Sequence, residues 1–331
     1  MLLCCVSRFC LREASRRSNM IFTPSDFSVA VQVPATTANL GPGFDSLGLA
    51  LGLYNRLELR VSDADSLQVS GEGEAELLGA KTTIAHTAAK QIFTALGHEI
   101  AGVHLTLENS IPLSRGLGSS SAAIVASMVA ANQWCHVQTG KSFEPSRILE
   151  FASHLEGHPD NVAPALLGGF VVAAMAENGA VHAIKVPVKE WPRFVAFIPE
   201  TELSTKFARG VLPENYSRAD AVFNLSRAAL LVAALGSGDF EALRESLQDK
   251  IHQPFRAPHV PGWNEATHAA HEAGAIGVTL SGAGPTTLAW TTSENNEAVR
   301  DAIQTAVTTA NIAGRVIVLD AIESGGTVIE S

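Results

Sequence analysis

Pro112-Leu-Ser-Arg-Gly-Leu-Gly-Ser-Ser-Ser-Ala-Ala123 sets two glycines and three serines directly ahead of a run, residues 119–134, dominated by Ala, Ser, Val and Met. That run reads as a helix whose small side chains suit close packing against another element. At its N-terminus, Gly116 and Gly118 let backbone approach an anion, the first free N–H groups point at it, and the helix dipole favours negative charge. Pro112, Leu113, Ser114, Arg115, Gly116, Leu117, Gly118, Ser119, Ser120 and Ser121 are therefore the candidate phosphate-binding segment. The serine hydroxyls supply further donors or a magnesium ligand. A plain capped helix would use the same residue types, so the segment alone does not decide the matter.

Other phosphate and catalytic signatures fail on spacing. Gly140-Lys141-Ser142 resembles the end of a G-x-x-x-x-G-K-S loop, but Cys135 stands where the first glycine is required and no strand precedes it, so it reads as a helix-terminating turn. No G-x-G-x-x-G, G-x-S-x-G or H-E-x-x-H occurs.

Upstream, Val29, Val31 and Val33 alternate as a half-buried strand expected to end at Pro34, and residues 49–61 alternate again. Residues 83–96 have helical spacing with Gly97 behind them, and 103–107 make a strand. Downstream, a helix opens at Pro145, followed by strands at 170–176 and 181–186 that flank Asn178-Gly179. Beyond Trp191-Pro192 come the strand 194–199, helices at 204–211, 218–235, 239–249 and 263–273, strands 276–280 and 287–290, a helix at 295–311 and a closing strand at 316–319. Helices and strands mix without a regular β-α-β period. The class is α+β, with a leader at 1–26, one domain at 27–190 and a second at 191–331.

The leader is set apart by composition. It carries Arg8, Arg12, Arg16 and Arg17 against the single acid Glu13, and its apolar MLLCCV precedes the arginines, the reverse of a secretory signal. It reads as a disordered or spurious extension ahead of a start at Met20, with an organelle transit peptide as the other reading. Over the whole chain of 331 residues, 46% are hydrophobic and 17% charged, enough to build a large core. The net charge of -10 repels a phosphate backbone, which argues against nucleic acid as a partner. No apolar stretch approaches the roughly 20 residues a membrane span needs, so a soluble protein is expected. The cysteines, at 4, 5, 10 and 135, form no C-x-x-C pair and suit a reducing cytoplasm, with Cys135 as a core filler.

Three further segments carry chemistry. Glu156-Gly-His-Pro-Asp160-Asn161 gathers two carboxylates, an imidazole and an amide in one turn: Glu156 suits a metal, Asp160 or Asn161 an acceptor hydroxyl, and His158 the turn or the substrate. As a surface turn, it would instead use Asp160 to cap the next helix. Pro34-Ala-Thr-Thr-Ala-Asn39-Leu-Gly41-Pro-Gly43-Phe-Asp45 presents Asn39 and Asp45 from a loop less hydrophilic than a plain one. Ser281-Gly282-Ala-Gly284-Pro-Thr-Thr287 lies between two strands, flexible enough to close on a ligand.

The order PATTANLGPGFDSLG, PLSRGLGSSSAA, EGHPDN, LSGAGPT over roughly 28–320 closely resembles the GHMP small-molecule kinases. NLGPGFD, SRGLGSS, EGHPDNVAP, STKFARGVLP and HQPFRA make it similar, within them, to the homoserine kinase family. The resemblance implies a two-domain GHMP kinase fold, an N-terminal half like the second domain of ribosomal protein S5 and a ferredoxin-like C-terminal half, with ATP in the cleft between. It implies Gly116, Leu117, Gly118 and Ser119 around the phosphates, Ser120 and Glu156 on Mg2+, and residues around 57–61 beside adenine. It places Asn39, Asp45, His158, Asp160, Asn161 and Gly282 around an amino-acid acceptor, and Arg209 and Arg256 on the acceptor's carboxylate, which guanidinium grips bidentately. The implied reaction is phosphorylation of L-homoserine to O-phospho-L-homoserine in threonine biosynthesis, with Glu156, Asp160 and Asn161 catalytic. Whether Asp160 takes the hydroxyl proton or anchors the ammonium stays open. The resemblance also admits a homodimer. A kinase of mevalonate or a sugar-like alcohol, and a non-catalytic ligand sensor on the same fold, are the rival readings. One departure is a third serine in the phosphate segment where alanine is commoner.

Overall fold

The computed structural model describes residues 20–22 and 27–331. Its first sheet is founded on two long strands, Ser28–Ala38 and Leu47–Ser62, paired antiparallel along their length. Val29, Val31 and Val33 and, in the neighbouring strand, Leu57, Leu59 and Val61 all turn inward, as their alternation requires. Pro34 does not end its strand. The register shifts between Pro34 and Ala35, and at such an irregularity a residue without an N–H is tolerated, so the strand runs on to Ala38 and delivers Thr36 and Asn39 to the site.

Across this sheet the order is Thr327–Glu330, Ser28–Ala38, Leu47–Ser62, Gly102–Asn109, Ser66–Gly71, with Phe170–Met175 pairing the start of Leu47–Ser62 and carrying Val181–Val186. The chain thus closes not at 316–319 but at Thr327–Glu330, back on the first sheet. Ser66–Gly71 is a further strand that the sequence did not announce, because only a shallow alternation marks it.

Helix Ser119–Thr139 packs under the two long strands and between Ile84–Ala95 and Pro145–Glu156. It is buried on nearly all sides, through Ala122, Ile124, Val125, Ala126, Met128, Ala130, Ala131 and Trp134, and alanines at these positions let the backbones approach. Cys135 is in this core, where burial pushes its thiol up to about 12. Gly140 ends the helix in a left-handed conformation, φ 71°, as the turn reading of Gly140-Lys141-Ser142 requires.

The second sheet is antiparallel, in the order Gly277–Leu280, Thr287–Thr291, Arg193–Pro199, Gly314–Leu319. Helix Trp263–Glu272 lies between its first and second strands in the chain and Asn296–Thr309 between its third and fourth, the split β-α-β of ferredoxin-like folds. A cut at 190/191 therefore separates the two sheets except for the last strand, which crosses back.

Of the leader expected over 1–26, only Met20–Phe22 lies within the described residues, paired in parallel with His98–Ile100. One helix among the described residues, Arg218–Ser237, is long and apolar enough by length and composition to cross a membrane, against the expectation of none. It packs Leu231, Ala234 and Leu235 inward, and Asn224 within it donates to the Pro42 carbonyl at 2.7 Å.

Candidate active site

The phosphate segment is clamped between the two halves of the molecule. From the first sheet, the Thr36 N–H donates to the Leu117 carbonyl at 3.1 Å. From the second, Ser281 Oγ donates to the Gly116 carbonyl and Thr286 Oγ1 to the Arg115 carbonyl, both at 2.6 Å. Both glycines are obligatory here: their φ angles are 77° and 72°, and a Cβ would lie 2.2 Å from the Ser281 carbonyl oxygen at Gly116 and 1.9 Å from Thr36 Oγ1 at Gly118. Gly118 is the N-cap of helix Ser119–Thr139 and offers no side-chain cap, so the first amides face the cleft without that partner.

Arg115 is held by the second sheet. Its Nε donates to the Pro199 carbonyl and its Nη1 to the Leu113 carbonyl, both at 2.9 Å, its Nη2 to the Glu200 carbonyl, and Glu202 lies 3.2 Å away. The guanidinium is a strut to the second sheet, and the residue also borders the cleft.

Helix Pro145–Glu156 ends on Gly157 and leaves Glu156 facing the serines. Ser120 Oγ donates to Glu156 Oε2 at 2.9 Å and Ser121 Oγ to Oε1 at 3.0 Å. These hard oxygens fit Mg2+, which is commonly held by one or two carboxylates with substrate phosphates completing its shell. No cluster of three or more His, Cys, Asp or Glu side chains able to hold a metal by itself exists among the described residues.

Just beyond, His158 Nδ1 lies 2.5 Å from Asp160 Oδ1, and Asp160 is only 2% exposed. Burial pulls the His158 pKa down, but the Asp160 bond and the charges of Asp160, Glu156 and Asp45 outweigh it and leave the pKa raised. Asn161, not Asp160, takes the N-cap of the next helix and makes no side-chain cap bond. Its Oδ1 instead accepts from Thr36 Oγ1 at 2.8 Å. The carboxylate of Asp160 is thus free of the capping role a surface turn would have given it.

Across the cleft, Asn39 adopts φ 68°. Its Nδ2 donates to the Gly282 carbonyl at 2.8 Å while its Oδ1 accepts the Asp45 N–H at 3.0 Å, so the first and fourth motifs hold each other. Asp45 takes both Nη1 and Nη2 of Arg209, at 2.9 and 2.8 Å. That bond raises the Arg209 pKa. Arg256 is 2% exposed and bonded to no acid, and burial, then the charge of Arg209, pull its pKa down to about 10, so it stays charged at neutral pH.

One cavity of about 150 Å³ is bordered by Asn39, Asp45, Ser114, Arg115, Gly116, Gly118, Ser119, Ser120, Glu156, His158, Asp160, Asn161, Arg209, Arg256 and Gly282. Pro112, Leu113, Leu117 and Ser121 do not border it. Leu203, Thr205, Ala283 and Gly284 do, though none was a candidate from the sequence; Thr205, Ala283 and Gly284 lay inside motifs already singled out.

A second, apolar cavity of about 230 Å³ meets the first at Ser114, Ser119 and Ser120. It is lined by Asn55, Leu77, Thr83, Ile84, Ala85, Leu107, Asn109, Leu113 and Ala123. Residues 57–61, expected beside adenine, border neither cavity: Leu57, Leu59 and Val61 face the helix layer and are core. Asn55, a polar residue near the start of that alternating stretch, was the available signal; its Oδ1 accepts the N–H groups of Ser110 and Ile111.

Comparison with known proteins bears on the family and the fold. Residues 83–169 match the GHMP kinases N terminal domain and residues 231–308 the GHMP kinases C terminal domain. The homoserine kinase of Desulfitobacterium hafniense is 44% identical over 91% of this chain and 100% of its own length, and that of Clostridium beijerinckii 42% over 91% and 99%. The crystal structure of homoserine kinase from Cytophaga hutchinsonii superposes with a TM-score of 0.80 at 32% identity, covering 94% of this chain and 100% of that one. With two sheets, a glycine-serine loop clamped between them, and likeness over nine-tenths of its length, the chain belongs to the homoserine kinase family of the GHMP kinases.

Proposed function

We propose that the protein transfers the γ-phosphoryl group of ATP to the side-chain hydroxyl of L-homoserine, giving O-phospho-L-homoserine and ADP. The observation that carries this reading is the pairing of Asp45 with Arg209, beside Arg256, in the cavity onto which the phosphate segment opens. A carboxylate and two guanidiniums at one end match the ammonium and carboxylate of an amino acid, whose charges would replace the Asp45–Arg209 contact. The amides of 119–121 receive phosphates, and the apolar cavity around Ile84 and Leu107 suits the adenine. Asp160, held by His158, and Asn161, held by Thr36, lie between the two ends and orient the hydroxyl for in-line attack. Phosphoryl transfer through a loose transition state needs mainly positioning and charge neutralisation, which is what this arrangement supplies. Ser120 and Glu156 would hold Mg2+, which neutralises charge on the phosphates. The reading assigns the reaction to threonine biosynthesis in the cytoplasm.

The test is ADP release from ATP and Mg2+ with L-homoserine, D-homoserine, L-serine or mevalonate supplied separately. Release with L-homoserine alone is expected. Release only with mevalonate replaces the acceptor within the same superfamily, and silence with every acceptor despite ATP binding makes the protein a sensor. In the active protein, Asp160→Asn is expected to cost about 10²-fold or more in turnover. Glu156→Gln is expected to lose activity with a raised Mg2+ requirement, and an unchanged requirement removes Glu156 from the metal.

A further inference from the structure

We infer that His252, which borders no part of the cavity, is a positioning residue that orients Arg256 toward the carboxylate of the acceptor. The inference rests on the amino-acid kinase reading above. His252 is wholly buried, and its Nε2 is 2.7 Å from the Gly41 carbonyl oxygen. A carbonyl only accepts, so Nε2 carries the proton. Burial lowers the His252 pKa against the nearby Asp249, which keeps the ring neutral and leaves Nδ1 a bare acceptor. Nη1 of Arg256 lies 3.3 Å from that Nδ1.

Every other charge near the ring is committed elsewhere. Asp249 Oδ2 is 3.6 Å from Nε2, but it accepts the backbone N–H groups of His252 at 2.9 Å and Gln253 at 2.6 Å, and Oδ1 accepts that of Ile251 at 2.9 Å. Asp45 is taken by Arg209. Phe44 stacks on the imidazole with centroids 5.3 Å apart, and the Arg256 guanidinium carbon lies 5.2 Å from the centre of the same Phe44 ring.

The guanidinium is therefore held at two of its three nitrogens. Nε donates to the Ala208 carbonyl at 3.0 Å and Nη1 is shared between His252 and the Gly282 carbonyl, each at 3.3 Å. The Nη2 edge is left to the carboxylate. One neutral imidazole thus sets the edge that Arg256 presents and, through Gly41, ties it to the loop that carries Asn39 and Asp45.

The test uses His252→Gln, whose amide nitrogen can still donate to Gly41 but which offers no acceptor at the Nδ1 position. Losing one hydrogen bond that orients a charged group is expected to raise KM for L-homoserine about tenfold, with KM for ATP held within about twofold. Turnover of 3-aminopropan-1-ol, the same acceptor without its carboxylate, should match that of the wild type. Added to Arg256→Gln, the substitution should cost less than about twofold more, because both act through one contact. Equal losses on both acceptors, a parallel rise in KM for ATP, or an unmoved KM for L-homoserine overturns the inference. If His252→Gln does not fold, His252→Asn keeps an acceptor facing Arg256. A KM for L-homoserine within about threefold of wild type then supports the role, and a tenfold rise overturns it. A wild-type protein silent on L-homoserine overturns the underlying reading and this inference together, whereas an active wild type in which His252→Gln leaves KM for L-homoserine unmoved overturns this inference alone.

Discussion

The 2.5 Å contact between His158 and Asp160 couples this side of the cavity to pH. His158 has a folded pKa raised above its ordinary 6.5, so the stability it contributes is complete below that value and is lost as pH rises through the folded pKa. The gap in Tm between wild type and His158→Gln is therefore expected to be widest at pH 6 and to narrow above it. Thermal melts at stepped pH check this, and a gap that widens with pH refutes it. Much of this pair was legible in the sequence, because EGHPDN lies within one turn and chain proximity put the two side chains together. The partnership of Asp45 with Arg209 was not, since the two lie 164 residues apart and only the docked halves bring them into contact. The surroundings of Arg115 were hidden for a related reason. It lies in the glycine-serine segment, and its guanidinium also meets carbonyls of Pro199 and Glu200, more than 80 positions away in the chain.

Among the elements, helix Ser119–Thr139 has the least room to change. Ala130 is fully buried, and a leucine there adds volume that neither the strand layer nor the flanking helices can yield. Ala130→Leu is expected to destabilise by about 1–3 kcal/mol, with Tm falling by a few degrees. A melt unchanged within a degree would mean that the helix can slide. That this helix existed was plain from its composition, and its tight packing followed from its alanines. The strands were less evenly readable. Those with deep alternation, such as Leu47–Ser62, announced themselves; Ser66–Gly71 and Thr327–Glu330 did not, because they are largely exposed and draw their register from a neighbour rather than from a buried face. Pro34 was misread as a stop because a bulge, which is a property of two strands together, cannot be seen in one.

For the whole molecule, the return of Thr327–Glu330 to the first sheet matters most. It covers the edge of Ser28–Ala38, and Glu330 pairs with Arg56 at 3.0 Å. Deleting 326–331 would bare that edge, and an uncovered strand of this length is a template for pairing with another copy. The truncated chain is expected to melt earlier and to associate with rising concentration, which light scattering beside a thermal melt measures; a monodisperse truncation with unchanged Tm counts against the edge argument. A second trait at this scale concerns when order is acquired. Because Thr36 from one sheet and Ser281 and Thr286 from the other hold the backbone of 115–117, the conformational entropy of that loop is surrendered when the halves dock, before any nucleotide arrives. Opening the loop requires parting the sheets, so hydrogen exchange at the amides of Thr36 and Thr286, which donate to the Leu117 and Arg115 carbonyls, follows the opening of the whole cleft rather than the fraying of a surface turn.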